Sequence, residues 1–332
     1  MNVAIVGCGL IGQKRLKALG AHRLVAASDV QIDRARKLSQ GVSPAPTVSA
    51  DWREIVRRED VNIVIVATTN DALAEITLAA VQAGKHVLVE KPAARNAAEL
   101  EPVITAAKAK GVVVKVGFNH RFHPALWKAK EIFDSGQCGP LMFMRGRYGH
   151  GGRVGYDREW RADPAIAGGG EMLDQGVHLV DLSRWFAGDF TRVSGQVGTF
   201  FWDMPVEDNG FAILTTAKGQ VAFLHASCSE WKNLFCLEIY GRTGKLQIDG
   251  LGGSYGVERL SFYKMLPEMG PPPTTIWEFP GEDKSWNLEF ADFLDCIDNH
   301  RAPCGDLHDA IAALRVIEEL YSISPKPGGS RA

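Results

Sequence analysis

The sequence predicts two domains: an N-terminal α/β domain on a parallel sheet, and a C-terminal α+β domain with an open, mostly antiparallel sheet. Three observations carry that expectation. Residues 1 to about 120 alternate short β-branched runs with helical patterns, the rhythm of βαβ units. Residues 190 to 263 read as strand and turn, and helical patterns then return. At 332 residues the chain exceeds what one core comfortably organises. The expected division is 1–121, 122–323 and a tail, "SPKPGGSRA", over 324–332 with the composition of a disordered end.

In chain order, the first-domain strands are "VAIV" (3–6), "RLVAAS" (23–28), "NIVIVAT" (62–68), "HVLVE" (86–90) and "VVVKVG" (112–117). They are near-continuous apolar runs rather than alternating ones, as strands buried on both faces require. Helices are expected around 11–20, 31–39, 71–83 and 96–109. The second domain opens with the helix "HPALWKAKEIFDSG" and the strand "LMFMRGRYG" (141–149). Next come strands punctuated by "AKGQ", "GRTGK" and "DGLGG", among them "TFFWDM" (199–204) and "FCLEIYG" (235–241), and helices at 286–298 and 306–321.

A net charge of −2 gives no global attraction to nucleic acid or anionic membrane, so small-molecule partners are expected. The six cysteines are scattered without a C-x-x-C pair or zinc spacing, which argues against a disulfide framework and a structural metal and favours a reducing cytoplasm. The first apolar run breaks at Gly7, far short of a signal-peptide core or a membrane span, so a soluble cytoplasmic chain is expected.

"GCGLIG" (Gly7, Gly9, Leu10, Ile11, Gly12) lies between the first strand and the first helix. In that context Gly7 permits a sharp turn, Gly9 a close backbone approach to a pyrophosphate, and Gly12 tight helix packing; the helix N-terminus offers unpaired N–H groups to the anion. Asp29 ends the second strand, where a carboxylate accepts hydrogen bonds from an adenosine ribose and repels a 2′-phosphate. A Rossmann domain binding NAD is therefore expected, with NADP left open. "VLVEKPA" puts Glu90 and Lys91 at the carboxyl end of a parallel strand, the edge where such sheets bind ligands. A lysine there can shuttle a proton or polarise a carbonyl.

Together "VAIVGCGLIG", "VEKPAA", "VGFNHRFHP" (116–124) and "GGGEMLDQGVHLVDLSRWF" (168–186) resemble the glucose-fructose oxidoreductase and inositol dehydrogenase family of sugar and cyclitol oxidoreductases, across essentially the whole chain. The resemblance implies that Lys91 matches the EKP lysine, and Asp174 and His178 the D-x-x-x-H pair. It implies that the histidine takes the substrate's hydroxyl proton, the lysine orients or shares it, and the carboxylate holds the sugar. Asn119 is implied on the cofactor side and Arg121 on the substrate side of "FNHRF". The resemblance also implies a homodimer or homotetramer through the open sheet. The chain departs from the family at Thr68-Thr69-Asn70 and Leu73, where Thr-Pro and then a histidine are common; these three turn residues still belong beside the cofactor.

The segment 144–170 is rich in glycine and arginine and too polar for core. Arginine forks suit phosphate or carboxylate, and aromatic rings suit a sugar or base, so Arg153, Tyr156, Arg158 and Trp160 join Arg121, Asp174 and His178 as expected substrate contacts. The expected substrate is accordingly a nucleotide-activated hexose, oxidised at a secondary ring hydroxyl to a keto-sugar, with C3 suggested by the resemblance. A free sugar or cyclitol dehydrogenase, an NAD-retaining glycoside hydrolase and a cofactor-sensing regulator are the alternatives. Asp174 and His178 stand at i and i+4, so one helix face carries both, and Gly168 to Gly170 are expected to let that helix approach a ligand.

Overall fold

A computed structural model describes residues 1–324; from residue 325 the expected tail lies outside the described residues. The chain divides into two compact units, one of Met1–Asn119, Ala165–Gly168 and Trp286–Ile311, the other of His120–Pro164, Gly169–Ser285 and the remainder from Ala312. Relative to a single cut at 121/122, the difference is that two later segments return to the first unit. The elements are β1 (Asn2–Val6), α1 (Leu10–Ala18), β2 (Arg23–Ser28), α2 (Ile32–Leu38), β3 (Thr47–Ser49), α3 (Trp52–Val56), β4 (Ile63–Val66), α4 (Asn70–Gln82), β5 (His86–Glu90), α5 (Glu101–Lys110) and β6 (Val114–Gly117). They continue with α6 (Pro124–Asp134), β7 (Leu141–Gly149), the single turn α7 (Pro164–Ala167), α8 (Val177–Ala187), β8 (Phe190–Gly198), β9 (Asn209–Thr216), β10 (Val221–Ser227), β11 (Leu234–Gly241), β12 (Gly244–Asp249), β13 (Glu258–Lys264), β14 (Thr274–Phe279), α9 (Ser285–Asp298) and α10 (Leu307–Ile323).

The first unit carries a six-stranded sheet in the order β3-β2-β1-β4-β5-β6, every pair parallel. Ile63, Val64, Ile65 and Val66 are all fully buried, which is why β4 contains no polar alternation. The order reverses between β1 and β4, the switch point at whose carboxyl edge such sheets take ligands. The short pair β3 and α3 was not anticipated: three residues give no readable period, and α3 is marked only by its cap, Asp51, whose carboxylate accepts the Arg53 N–H at 3.0 Å. Phe290 and Phe293 of α9 complete the core against Ile5, Ile65 and Leu88.

The second unit holds an eight-stranded sheet, β14-β13-β12-β11-β7-β10-β9-β8, antiparallel except for β7 with β10. α8 lies on its centre. A Cβ at Gly146 of β7 would stand 3.0 Å from Leu224 and 3.1 Å from Leu179, so glycine there lets the α8 leucine reach the sheet. The expected strand "TFFWDM" is a loop between β8 and β9. Its aromatic run imitates a half-buried strand, but the Phe200, Phe201 and Trp202 amides all donate to the Asp208 carboxylate, at 2.9, 2.7 and 2.9 Å. With those donors taken, no ladder can form.

The helix expected from Glu171 onward begins as a π-helical turn, Met172–Gly176, before α8. Such turns are rare and frequent at functional sites. Its glycines answer to protein packing: a Cβ would meet Arg95 at Gly168 (2.7 Å), Tyr321 at Gly169 (2.3 Å) and the Glu207 carbonyl oxygen at Gly170 (2.0 Å). They therefore admit neighbouring protein, where a close approach to a ligand was expected.

Candidate functional site

In the first unit the glycine loop follows β1. Gly7 has φ of +92°, and a Cβ there would stand 2.3 Å from the Ala67 carbonyl oxygen, so only glycine fits. A Cβ at Gly9 would meet nothing within 4 Å, and at Gly12 it would meet the Gly7 carbonyl at 2.2 Å. Gly9 thus presents bare backbone while Gly12 seats α1 against the loop. Gly9 is also the N-cap of α1 and provides no side-chain acceptor, and Leu10 and Ile11 supply the next amides. Those amides are suited to a pyrophosphate.

Asp29 is buried at the end of β2, one carboxylate oxygen accepting the Cys8 N–H and the other the Gln31 N–H, both at 2.8 Å. The carboxylate ties the loop to β2 and keeps lone pairs for ribose hydroxyls. These residues fit a dinucleotide.

Thr68, Thr69 and Asn70 follow β4. Thr69 is the N-cap of α4 and donates from its hydroxyl to Asp71 at 2.6 Å, while the Asn70 amide donates to the Ala167 carbonyl at 2.9 Å. Glu90 lies inward: its carboxylate accepts from the buried Arg15 Nε at 2.6 Å, a pairing separated by 75 residues and invisible in "VEKPA". Lys91 is half-buried in the turn after β5, joined to Pro92 by a cis peptide bond. Asn119 is buried at the start of the short turn Asn119–Phe122.

In the second unit Asp174 lies on the π-turn and accepts from Arg161 Nε at 2.9 Å. His178 is buried on the first turn of α8. Both border Tyr148: its ring lies 6.2 Å from the His178 ring, and burial, then Tyr255, Asp174 and Glu171, push its phenol well above the ordinary value. The same two carboxylates help burial raise Tyr156 and Cys228.

His120, the middle of "FNHRF" and unassigned from the sequence, stacks on His178 with ring centroids 3.7 Å apart and 20° between planes. The intervening position in a motif whose flanks were both singled out was the available signal. Arg121, expected on the substrate, grips buried Asp181 of α8 with Nε at 2.8 Å and Nη2 at 2.6 Å.

Glu207, also unassigned, fixes the start of the helix: its carboxylate accepts the Gly170 N–H at 3.0 Å, the Met172 N–H at 3.1 Å and the Tyr321 hydroxyl at 2.6 Å. Tyr156 is buried against His150 and Trp202, 5.4 and 5.6 Å between rings. Trp160 carries the Arg161 guanidinium 4.5 Å from its ring. Arg153 pairs with Glu159 at 2.7 Å, and Arg158 is exposed and makes no ion pair among the described residues. Within the segment, Glu159 meets both Arg153 and Arg161, while Arg145 pairs with Glu238 and Arg161 with Asp174 beyond it.

Residues 1–118 match a family model described as an oxidoreductase family with an NAD-binding Rossmann fold, and residues 126–247 match one for the GFO/IDH/MocA C-terminal domain. The chain is 30% identical to a levoglucosan dehydrogenase of Pseudarthrobacter phenanthrenivorans over 66% of its own length and 59% of that protein's. It is 33% identical to an inositol 2-dehydrogenase of Gluconacetobacter diazotrophicus over 59% and 57%. These alignments thus cover under two thirds of either relative. A solved levoglucosan dehydrogenase in complex with NADH superposes with a TM-score of 0.85, 24% identity and 98% coverage of both chains, a likeness of fold.

Proposed function

The chain belongs to the GFO/IDH/MocA oxidoreductase family, its first 118 residues forming that family's NAD-binding Rossmann fold, and from this premise we propose that it oxidises a secondary ring hydroxyl of an uncharged sugar or cyclitol. The observation that carries the choice of substrate is the pairing of Arg161 with Asp174. An anionic substrate needs arginines without internal counter-ions; of the three arginines expected on the substrate, Arg121 and Arg153 already face a carboxylate, as does Arg161 beside them, which leaves Arg158. The nucleotide-activated hexose expected above keeps only Arg158 of its three arginines, and no residue favours C3 over another ring carbon. Levoglucosan and inositol, named in the relatives, are uncharged polyols.

In this reading His178 takes the hydroxyl proton and Lys91 orients or shares it. Asp174, its charge partly met by Arg161, accepts from a ring hydroxyl. When bound, NAD supplies the acceptor for the departing hydride. Glu207 and the π-turn hold Asp174 in place before α8 begins. A homodimer or homotetramer belongs to the same reading, supported by exposed Phe143, Ile213 and Phe223 on the second unit's sheet.

The test is a panel of levoglucosan, myo-inositol, glucose and UDP-glucose with NAD and NADP, following nicotinamide reduction. Net reduction with an uncharged polyol and NAD is expected. Turnover confined to UDP-glucose would overturn the substrate reading, and glycoside cleavage without net reduction would indicate a hydrolase.

A further inference from the structure

We propose that Arg15 is a positioning residue for Lys91, acting through Glu90: a buried ion cluster fixes the turn on which the lysine stands. The role given to Lys91 rests on the dehydrogenase reading. β5 ends at Glu90, and the Ala93 N–H donates to the Glu90 carbonyl at 2.9 Å, closing a turn around Lys91 and Pro92. The Glu90 side chain is anchored as firmly as its backbone. Arg15, on α1, donates from Nε to Glu90 and from Nη1 to Glu289 of α9, each at 2.6 Å. Its guanidinium lies 4.5 Å from the Trp286 ring, and both Arg15 and Glu289 are wholly buried.

Strand β6 makes room for this cluster. Gly117 pairs with Glu90 in register, and a Cβ on it would stand 2.8 Å from Arg15 Nη2 and 2.9 Å from Glu90 Oε2. Buried ion pairs add little net stability over apolar packing of the same volume. What a planar fork between two carboxylates adds is direction, because each N–H constrains one acceptor. The cluster therefore sets the glycine-loop helix, the end of β5 and α9 in one fixed register, and the residue that inherits that register is Lys91.

The experiment compares wild type, Arg15→Met and Gly117→Ala in the full-length protein. Arg15→Met removes the fork; Gly117→Ala leaves every charge in place and wedges Arg15 from Glu90, which keeps the test available if the first variant does not fold. Hydrogen exchange is followed for the amides of Lys91 and 93–95, with those of β1 as the internal control. Exchange at 91–95 is expected to rise at least about tenfold while β1 stays protected. With C-deuterated myo-inositol or levoglucosan, kcat is expected to fall about 10- to 100-fold and its isotope effect to grow, with NAD affinity held within about threefold. A lower melting temperature with unchanged exchange at 91–95, or a kcat loss matching the lost folded fraction with the isotope effect constant, overturns the proposal. If wild type reduces NAD with no polyol, the dehydrogenase reading fails and the exchange result still decides the clamp.

Discussion

Replacing Asp29 by alanine separates the two tasks assigned to that carboxylate. Its oxygens hold the Cys8 and Gln31 amides at 2.8 Å. A hydrogen bond to a charged group contributes about 1.5 to 3 kcal/mol, so the loop loses up to about 3 to 6 kcal/mol of local anchoring. Of the two, the Cys8 amide is buried, so that loss falls mainly on the glycine loop. If one ribose hydroxyl also donates to Asp29, NAD affinity drops by a further 10- to 150-fold or so. NADP meets the opposite change. The deletion removes a repulsion of about 1 to 4 kcal/mol between a carboxylate and a phosphate some 4 Å apart. The NAD-to-NADP affinity ratio should therefore shrink at least about tenfold. Calorimetric titration of both dinucleotides at one ionic strength, on Asp29→Ala and Asp29→Asn, measures it. An NAD affinity within threefold of wild type, or equal losses for the two dinucleotides, would refute a ribose contact and leave only the loop-anchoring role.

Two further outcomes are expected. Lys91→Ala and His178→Ala should each lower turnover about 10²- to 10⁴-fold with NAD affinity nearly unchanged; steady-state rates and dinucleotide titration check this, and full turnover in both would remove them from the proton path. Asp292 is held below its ordinary value of 3.8: burial alone would raise it, but Lys115 and Arg301 outweigh burial. Its contribution to stability is therefore complete above 3.8 and is lost as pH falls through the lowered folded value. Asp292→Asn should flatten the acid limb of a melting-temperature profile and cost about 3 kcal/mol at neutral pH, since Lys115 stays buried. An acid limb as steep as that of wild type would contradict the assignment.

The parts of the fold that were legible were those with a repeating local cause. Strands β1, β2 and β5 emerged within a residue of their ends because burial on both faces forces an unbroken apolar run. The glycine loop was legible because Gly7 and Gly12 answer steric demands within 60 residues of chain, Gly7 against Ala67 and Gly12 against Gly7 itself. The rest depends on partners far along the chain. Arg15 reads as one more basic residue of a short helix until Glu289 stands beside it, 274 residues away. Arg121, Arg153 and Arg161 looked available because nothing local in the sequence matches Asp181, Glu159 and Asp174 to them, a pairing that geometry alone makes. The π-turn under Asp174 has no hydrophobic period of its own, so the sequence shows only the helix that follows it.

The three amides gathered by Asp208 also bear on how the folded chain meets copies of itself. Thr199 to Met204 is a short apolar, aromatic run with a single charge and no proline, the composition that stacks into intermolecular sheets when its backbone donors are free. Phe200 and Phe201 remain exposed in the folded protein, so apolar burial does not keep the run out of circulation. One carboxylate, by occupying consecutive N–H groups, makes the segment a poor template for a neighbouring strand. In the folded chain Asp208 thus keeps three consecutive donors of an exposed aromatic run out of reach of a neighbouring strand.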